Sequence, residues 1–124
     1  MNVDDFRREM NDYWFRVDRE FMDRKESHGA LMELMKLYRR FDAQKQLVAR
    51  QVICEWLRSP EPRQQFDALA LVDEFGIVEA LPILRELQTE AEERTDHEAP
   101  YDWSRINRII GRLAAPEGKE SNAG

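Results

Sequence analysis

The stretch PRQQFDALALVDEFGIVEALPILRELQTEA, residues 62–91, constrains the fold of this chain more than any other. Phe66, Leu69, Leu71, Val72 and Phe75 recur at the three- and four-residue steps that place side chains on one helical face. Pro62 suits a first helical turn, where the N–H it lacks has no intrahelical partner. Gly76 follows Phe75 as a helix-ending residue free to take positive φ. A second helix must begin near Ile77 to Glu79, which puts Pro82 in or near its first turn. Its apolar stripe is Ile77, Ala80, Leu81, Leu84, Leu87 and Ala91, and Glu79, Glu86, Glu90 and Glu93 line the opposite face. The expectation is two short helices folded back on each other at Gly76.

This pair resembles a HEAT repeat. The resemblance rests on the helix-ending Phe75-Gly76 and on Ile77-Val78-Glu79-Ala80-Leu81-Pro82-Ile83-Leu84, close to the family's turn followed by Ala-aliphatic-Pro-x-Leu. The aspartate usual in the family's inter-helix turn is absent, and Asp73 lies earlier. The clear match covers one repeat length. It implies an all-α fold, a short solenoid-like stack of antiparallel hairpins with about six helices and no β-sheet.

The rest of the chain fits that expectation. Residues 3–25 read as one helix with the stripe Val3, Phe6, Met10, Tyr13, Trp14, Val17 and Phe21. Phe15 and Met22 fall on a second face of it, seven residues apart. Either the helix packs on two sides, or these two residues form an exposed ledge that meets a partner or a second copy of the chain. Ser27 suits the cap of a helix over 28–41, with Ala30, Leu31, Leu34, Leu37, Tyr38 and Phe41 inward. Asp42 suits the cap of a third, 43–58, whose Leu47, Val48, Val52, Ile53, Cys54, Trp56 and Leu57 leave little polar circumference; it should be central and buried. Ser59-Pro60-Glu61-Pro62 ends it. A shift of 34 residues aligns Met35, Leu37, Tyr38, Phe41 and Leu47 with Leu69, Leu71, Val72, Phe75 and Leu81, a period of helical-hairpin arrays. A last helix over about 102–114 carries Trp103, Ile106, Ile109, Ile110 and Leu113 inward and Arg105, Arg108 and Arg112 on its polar side, where they would pair with the neighbouring acidic helix. One domain over 1–115 is expected, with hairpins 28–58 and 62–94 between terminal helices. The tail 116–124, rich in charge, proline and glycine, should be disordered.

Composition excludes several functions. With 42% hydrophobic and 35% charged residues, the chain has a globular balance. Its apolar runs are too short for a transmembrane helix, and MNVDDF shows no basic lead into an apolar segment, so neither membrane nor secretory signal is expected. One cysteine, Cys54, permits no internal disulfide, which fits a reducing cytoplasm. The net charge of −6 is localised: residues 61–99 hold eleven acids against three bases, while the segments on either side are near neutral. That field repels nucleic acid and attracts basic partners.

Signs of catalysis are missing. His28 and His97 stand in separate loops without ligand-spaced companions, and His97-Glu98 lacks the second histidine of a zinc-protease helix, so no metal or other cofactor is expected. Cys54 lies on an apolar helix, where a thiol is normally inert packing. Ser27, Ser59 and Ser104 read as caps or turns, and no glycine-rich phosphate loop exists. Carboxylates are plentiful, yet none is singled out as an acid–base pair. The chain therefore reads as a non-enzyme.

What remains is a surface. Glu79, Glu86, Glu90 and Glu93 continue into Asp96 and Glu98, and Tyr101 and Asp102 adjoin them, so one acidic patch gains an aromatic anchor. It is either a solvated helix face or the binding site for a protein with a basic surface. A small, acidic, cytoplasmic helical array of this kind is similar to bacterial immunity proteins, which neutralise a cognate toxin. The alternative is a HEAT-like structural or adaptor protein, or a homodimeric scaffold.

Overall fold

The computed structural model describes residues 2–25, 29–93 and 104–114. Among them the protein is all-helical, without strand: α1 (Val3–Asp23), α2 (Gly29–Arg40), α3 (Ala43–Trp56), α4 (Pro62–Phe75), a short 3-10 helix (Val78–Ala80), α5 (Leu81–Glu93) and α6 (104–114). The chain forms two compact units, Met1–Ala68 and Leu69–Gly124, and the division falls inside α4.

The first unit is built around α1. Asn2 caps it, its side-chain oxygen accepting from the amides of Asp4 at 2.9 Å and Asp5 at 3.2 Å. Of the predicted stripe, Phe6, Met10, Trp14 and Val17 are buried, Tyr13 and Phe21 are half-buried, and Val3, at the helix start, is 40% exposed. α1 packs against both α2 and α3. The helix ends two residues short of expectation, with Lys25 at φ 60° closing the last turn by donating to the Met22 carbonyl. Gly29 then opens α2 so close to α1 that a Cβ on it would overlap the side chain of Phe21. In α2, Ala30, Leu31, Leu34 and Tyr38 are buried, whereas Leu37 and Phe41 are half-buried.

Asp42 caps α3 as expected, accepting from the Lys45 amide at 2.9 Å. The expectation that α3 is buried nearly all round needs correcting. Ala49, Val52, Ile53, Cys54 and Trp56 are buried, but Leu47 is 61% exposed. Leu47 lies two residues before Ala49, which places it about 200° around the helix from the packed side. The helix with neighbours on more than one side is α1.

Polar contacts complete the first unit. Ser59 Oγ accepts from the Glu61 amide and donates to Gln64 Oε1 at 2.6 Å, so the turn before Pro62 is tied to the start of α4. Asn11 Oδ1 accepts from the indole of Trp56 at 2.8 Å and from Gln64 at 3.3 Å. Trp14 donates to buried Asp67. Asp18, also buried, holds the Arg63 guanidinium through Nε and a terminal nitrogen, the closest contact being 2.7 Å. Within the first unit the buried polar groups Asp18, Gln64 and Asp67 are therefore each hydrogen-bonded, as buried polar groups require.

In the second unit Gly76 takes φ +61°, and the Ile77 amide reaches back to the Val72 carbonyl at 3.1 Å. This is the Schellman closure, with Ile77 and Val72 both fully buried as its apolar contact. The chain passes through the 3-10 helix before α5 begins at Leu81, so Pro82 occupies the first turn of α5 as predicted. Leu69, Leu71, Val72, Ile77, Ala80, Leu84, Ile106, Ile109 and Leu113 are buried. Gln88 hydrogen-bonds Asn107, tying α5 to α6. Arg112 of α6 pairs with Asp73 of α4 at 2.6 Å, rather than with a glutamate of α5. Ser27, Trp103 and the tail 116–124 lie outside the described residues.

Candidate interaction surfaces

The acidic row belongs to the second unit. Glu79 lies on the 3-10 helix and Glu86, Glu90 and Glu93 on α5; all four are exposed, while Ala80 and Leu84 are fully buried. Within α5, intervals of four and three residues keep Glu86, Glu90 and Glu93 on one side of the helix. Like charges three or four apart oppose the helix by about 0.2–0.5 kcal/mol per pair. The last turn of α5 also carries Glu90, Glu92 and Glu93 and no base, where carbonyl ends favour cations by about 0.3–1 kcal/mol. Asp96, Glu98, Tyr101 and Asp102, the remainder of the predicted patch, lie outside the described residues.

The ledge belongs to the first unit. Phe15 is 49% exposed and Met22 38%. Phe15 is anchored on one edge, its ring meeting that of Trp14 nearly perpendicularly with centroids 5.0 Å apart. Both residues lie on the side of α1 away from Phe6 and Met10, since Phe15 is nine residues beyond Phe6 and so about 180° around the helix.

A third feature was not anticipated from the sequence. A cleft of about 510 Å³ opens in the first unit. Phe6, Met10, Tyr13, Leu37 and Phe41 form its apolar wall, and Asp5, Glu9, Asn2 and Lys45 supply its polar rim. Phe6 and Phe41 meet at 58° with centroids 5.4 Å apart, so they form a corner rather than a flat stack. Burial raises the Tyr13 phenol above its ordinary pKa, and the nearby Glu33 carboxylate adds to the effect. The guanidinium of Arg16 covers the Tyr13 ring at 5.4 Å from its centroid. The readable signal was Asp5 and Glu9 flanking Phe6, with Tyr13 one turn on; what the sequence could not supply was that Phe41 and Lys45 face them.

Among the described residues no group of three or more His, Cys, Asp and Glu side chains is placed to hold a metal ion. No helix of the described residues is long and apolar enough to cross a membrane. Cys54 is buried at 7% exposure within α3. His28 and His97 lie outside the described residues. In comparisons with known proteins, no family model, no curated protein and no solved structure matches this chain.

Proposed function

We propose that this is a non-enzymatic, HEAT-like protein-binding module whose acidic helical surface receives a partner with a basic surface, and that it acts as an immunity protein neutralising a cognate bacterial toxin in the cytoplasm. The observation that carries the reading is the exposed row Glu79, Glu86, Glu90 and Glu93, which concentrates negative charge on the outward side of the second unit. The row would steer a basic partner through long-range attraction, raising association rates by about 10- to 1000-fold at low salt. Binding would then cover the toxin's site rather than alter its chemistry. Co-purification with a basic toxin domain, weakening steeply as salt is raised, is the expected result. Cell protection that survives Glu86→Lys, Glu90→Lys and Glu93→Lys together would overturn it.

A second reading, a structural or adaptor protein that self-associates, is favoured by the exposure of Phe15 and Met22 on one side of α1. Sedimentation distinguishes the two: a homodimer that Phe15→Asp converts to monomer supports the ledge as an interface, and a wild-type monomer removes it.

A further inference from the structure

The acidic row and the ledge leave the cleft of the first unit without a role. Its volume of about 510 Å³ lies within the range of about 300–1000 Å³ typical of pockets that enclose small organic ligands. Its wall has the composition such pockets use, three aromatic rings with Met10 and Leu37 between them. The rim supplies charge. Asp5 and Glu9 stand one helical turn apart on α1 and, with Lys45, are the charged side chains that line the rim, while Arg16 and Arg40 act on Tyr13 from outside the lining. Asp5 is engaged only loosely, 3.6 Å from Arg8 in a pair with both side chains largely exposed, and such a pair yields readily to a competing cation.

We propose that this cleft binds a small organic monocation with an aromatic body, of the arylalkylamine class, its ring lodged against Phe6, Phe41 and Tyr13 and its ammonium held by Glu9 and Asp5. The excess of negative charge on the rim selects a cation over an anion. A zwitterion of the same body would bring a carboxylate up to Asp5 and Glu9 and lose affinity. The inference is independent of the acidic row, which lies in the other unit, so either can fail without the other.

Tryptamine titrated into the full chain, followed by amide shifts in NMR spectra, is the test. Shifts are expected to gather on residues 5–13, 37 and 41–45, with an affinity in about the millimolar range or tighter. Glu9→Gln, a change at an exposed position that leaves the fold intact, should weaken tryptamine about tenfold while leaving its neutral alcohol analogue unaffected. Tryptophan, the zwitterion, should bind more weakly than tryptamine. Leu37→Trp, which fills the cleft, should abolish shifts from all three compounds. Absence of shifts in the cleft, equal binding of the amine and the alcohol, or a Glu9→Gln protein within about twofold of wild type would overturn the proposal.

Discussion

Trp14 donates its indole N–H to a carboxylate oxygen of Asp67 across 2.9 Å, and both residues are buried, at 1% and 4% exposure. The pair joins the middle of α1 to α4 across 53 positions of sequence. A buried carboxyl group costs free energy unless it is hydrogen-bonded, and removing one partner of such a buried bond costs about 1–3 kcal/mol. Trp14→Phe removes the donor while retaining an aromatic ring. It should lower unfolding free energy by about 2–4 kcal/mol, lost packing included, at an unchanged denaturant slope. Asp67→Asn keeps an acceptor and should cost less. A Trp14→Phe midpoint equal to wild type in a urea titration would show that the contact is not stabilising.

Gly76 offers a cleaner case, because no atom lies within 4 Å of where its Cβ would be. Any cost of Gly76→Ala therefore comes from the backbone at φ +61° rather than from a clash. The expected loss is about 1–2 kcal/mol, with Gly76→Asn milder because asparagine tolerates this region. Gly29 should behave differently: there alanine would overlap Phe21, and α1 and α2 would have to separate. Thermal melts of the three variants separate strain from overlap.

Tyr13 predicts a pH dependence. Its folded pKa is raised, chiefly by burial, above the ordinary value of 10.0. As pH climbs past that value the unfolded chain loses the phenolic proton first, so the folded state is progressively disfavoured. The contribution is fully present below 10.0 and is lost as pH rises through the higher folded value. Tyr13→Phe should flatten this part of the alkaline stability profile. A difference titration of phenolate absorbance between wild type and Tyr13→Phe should place Tyr13 on the late side. An early titration would mean that the cleft wall is more open to water than described.

The Asp18–Arg63 fork couples the same two helices, with Asp18 buried and Arg63 reaching solvent. Asp18 has 8% side-chain exposure and Arg63 48%, so solvent screens one end of the pair. The hydrogen bond from Arg63 to Asp18 raises the arginine's pKa further above any working pH, and the arginine therefore adds no pH dependence near neutrality. A double-mutant cycle with Asp18→Ala and Arg63→Ala should return a coupling of about 1 kcal/mol that shrinks with added salt. Additive effects would remove the fork from the account of how α4 is held.

Much of this architecture is legible in residue spacing, and the exceptions share a cause. Gly76, Pro82 and Asp42 announce themselves because their backbone chemistry is local. The centres of the α1 and α4 stripes follow from periodicity, while Val3 at the start of α1 is exposed and Phe66 and Phe75 near the ends of α4 are half-buried. Leu47 misleads, because an apolar residue raises the apparent burial of a helix whichever way it points. The ties Trp14–Asp67, Trp56–Asn11 and Asp18–Arg63 connect residues 45 to 53 apart, and a hydrogen bond over that distance leaves no period to read. For the same reason the cleft was invisible: its wall draws on α1, α2 and the turn before α3. The acidic row was legible because it repeats along one element.

The claim at the centre is that the outward glutamates of α5 recruit a basic partner. The most direct measurement is the affinity of the chain for a cognate basic toxin domain over a range of salt concentrations, made with wild type and with the Glu86→Lys, Glu90→Lys, Glu93→Lys protein. These positions are exposed, and lysine in the last turn of α5 suits the helix; thermal melts of both proteins check that the variant stays folded. The account predicts wild-type binding that weakens steeply with salt and a variant that loses at least about a hundredfold in affinity at low salt. Equal affinity of the two proteins, with the same salt response, would contradict it.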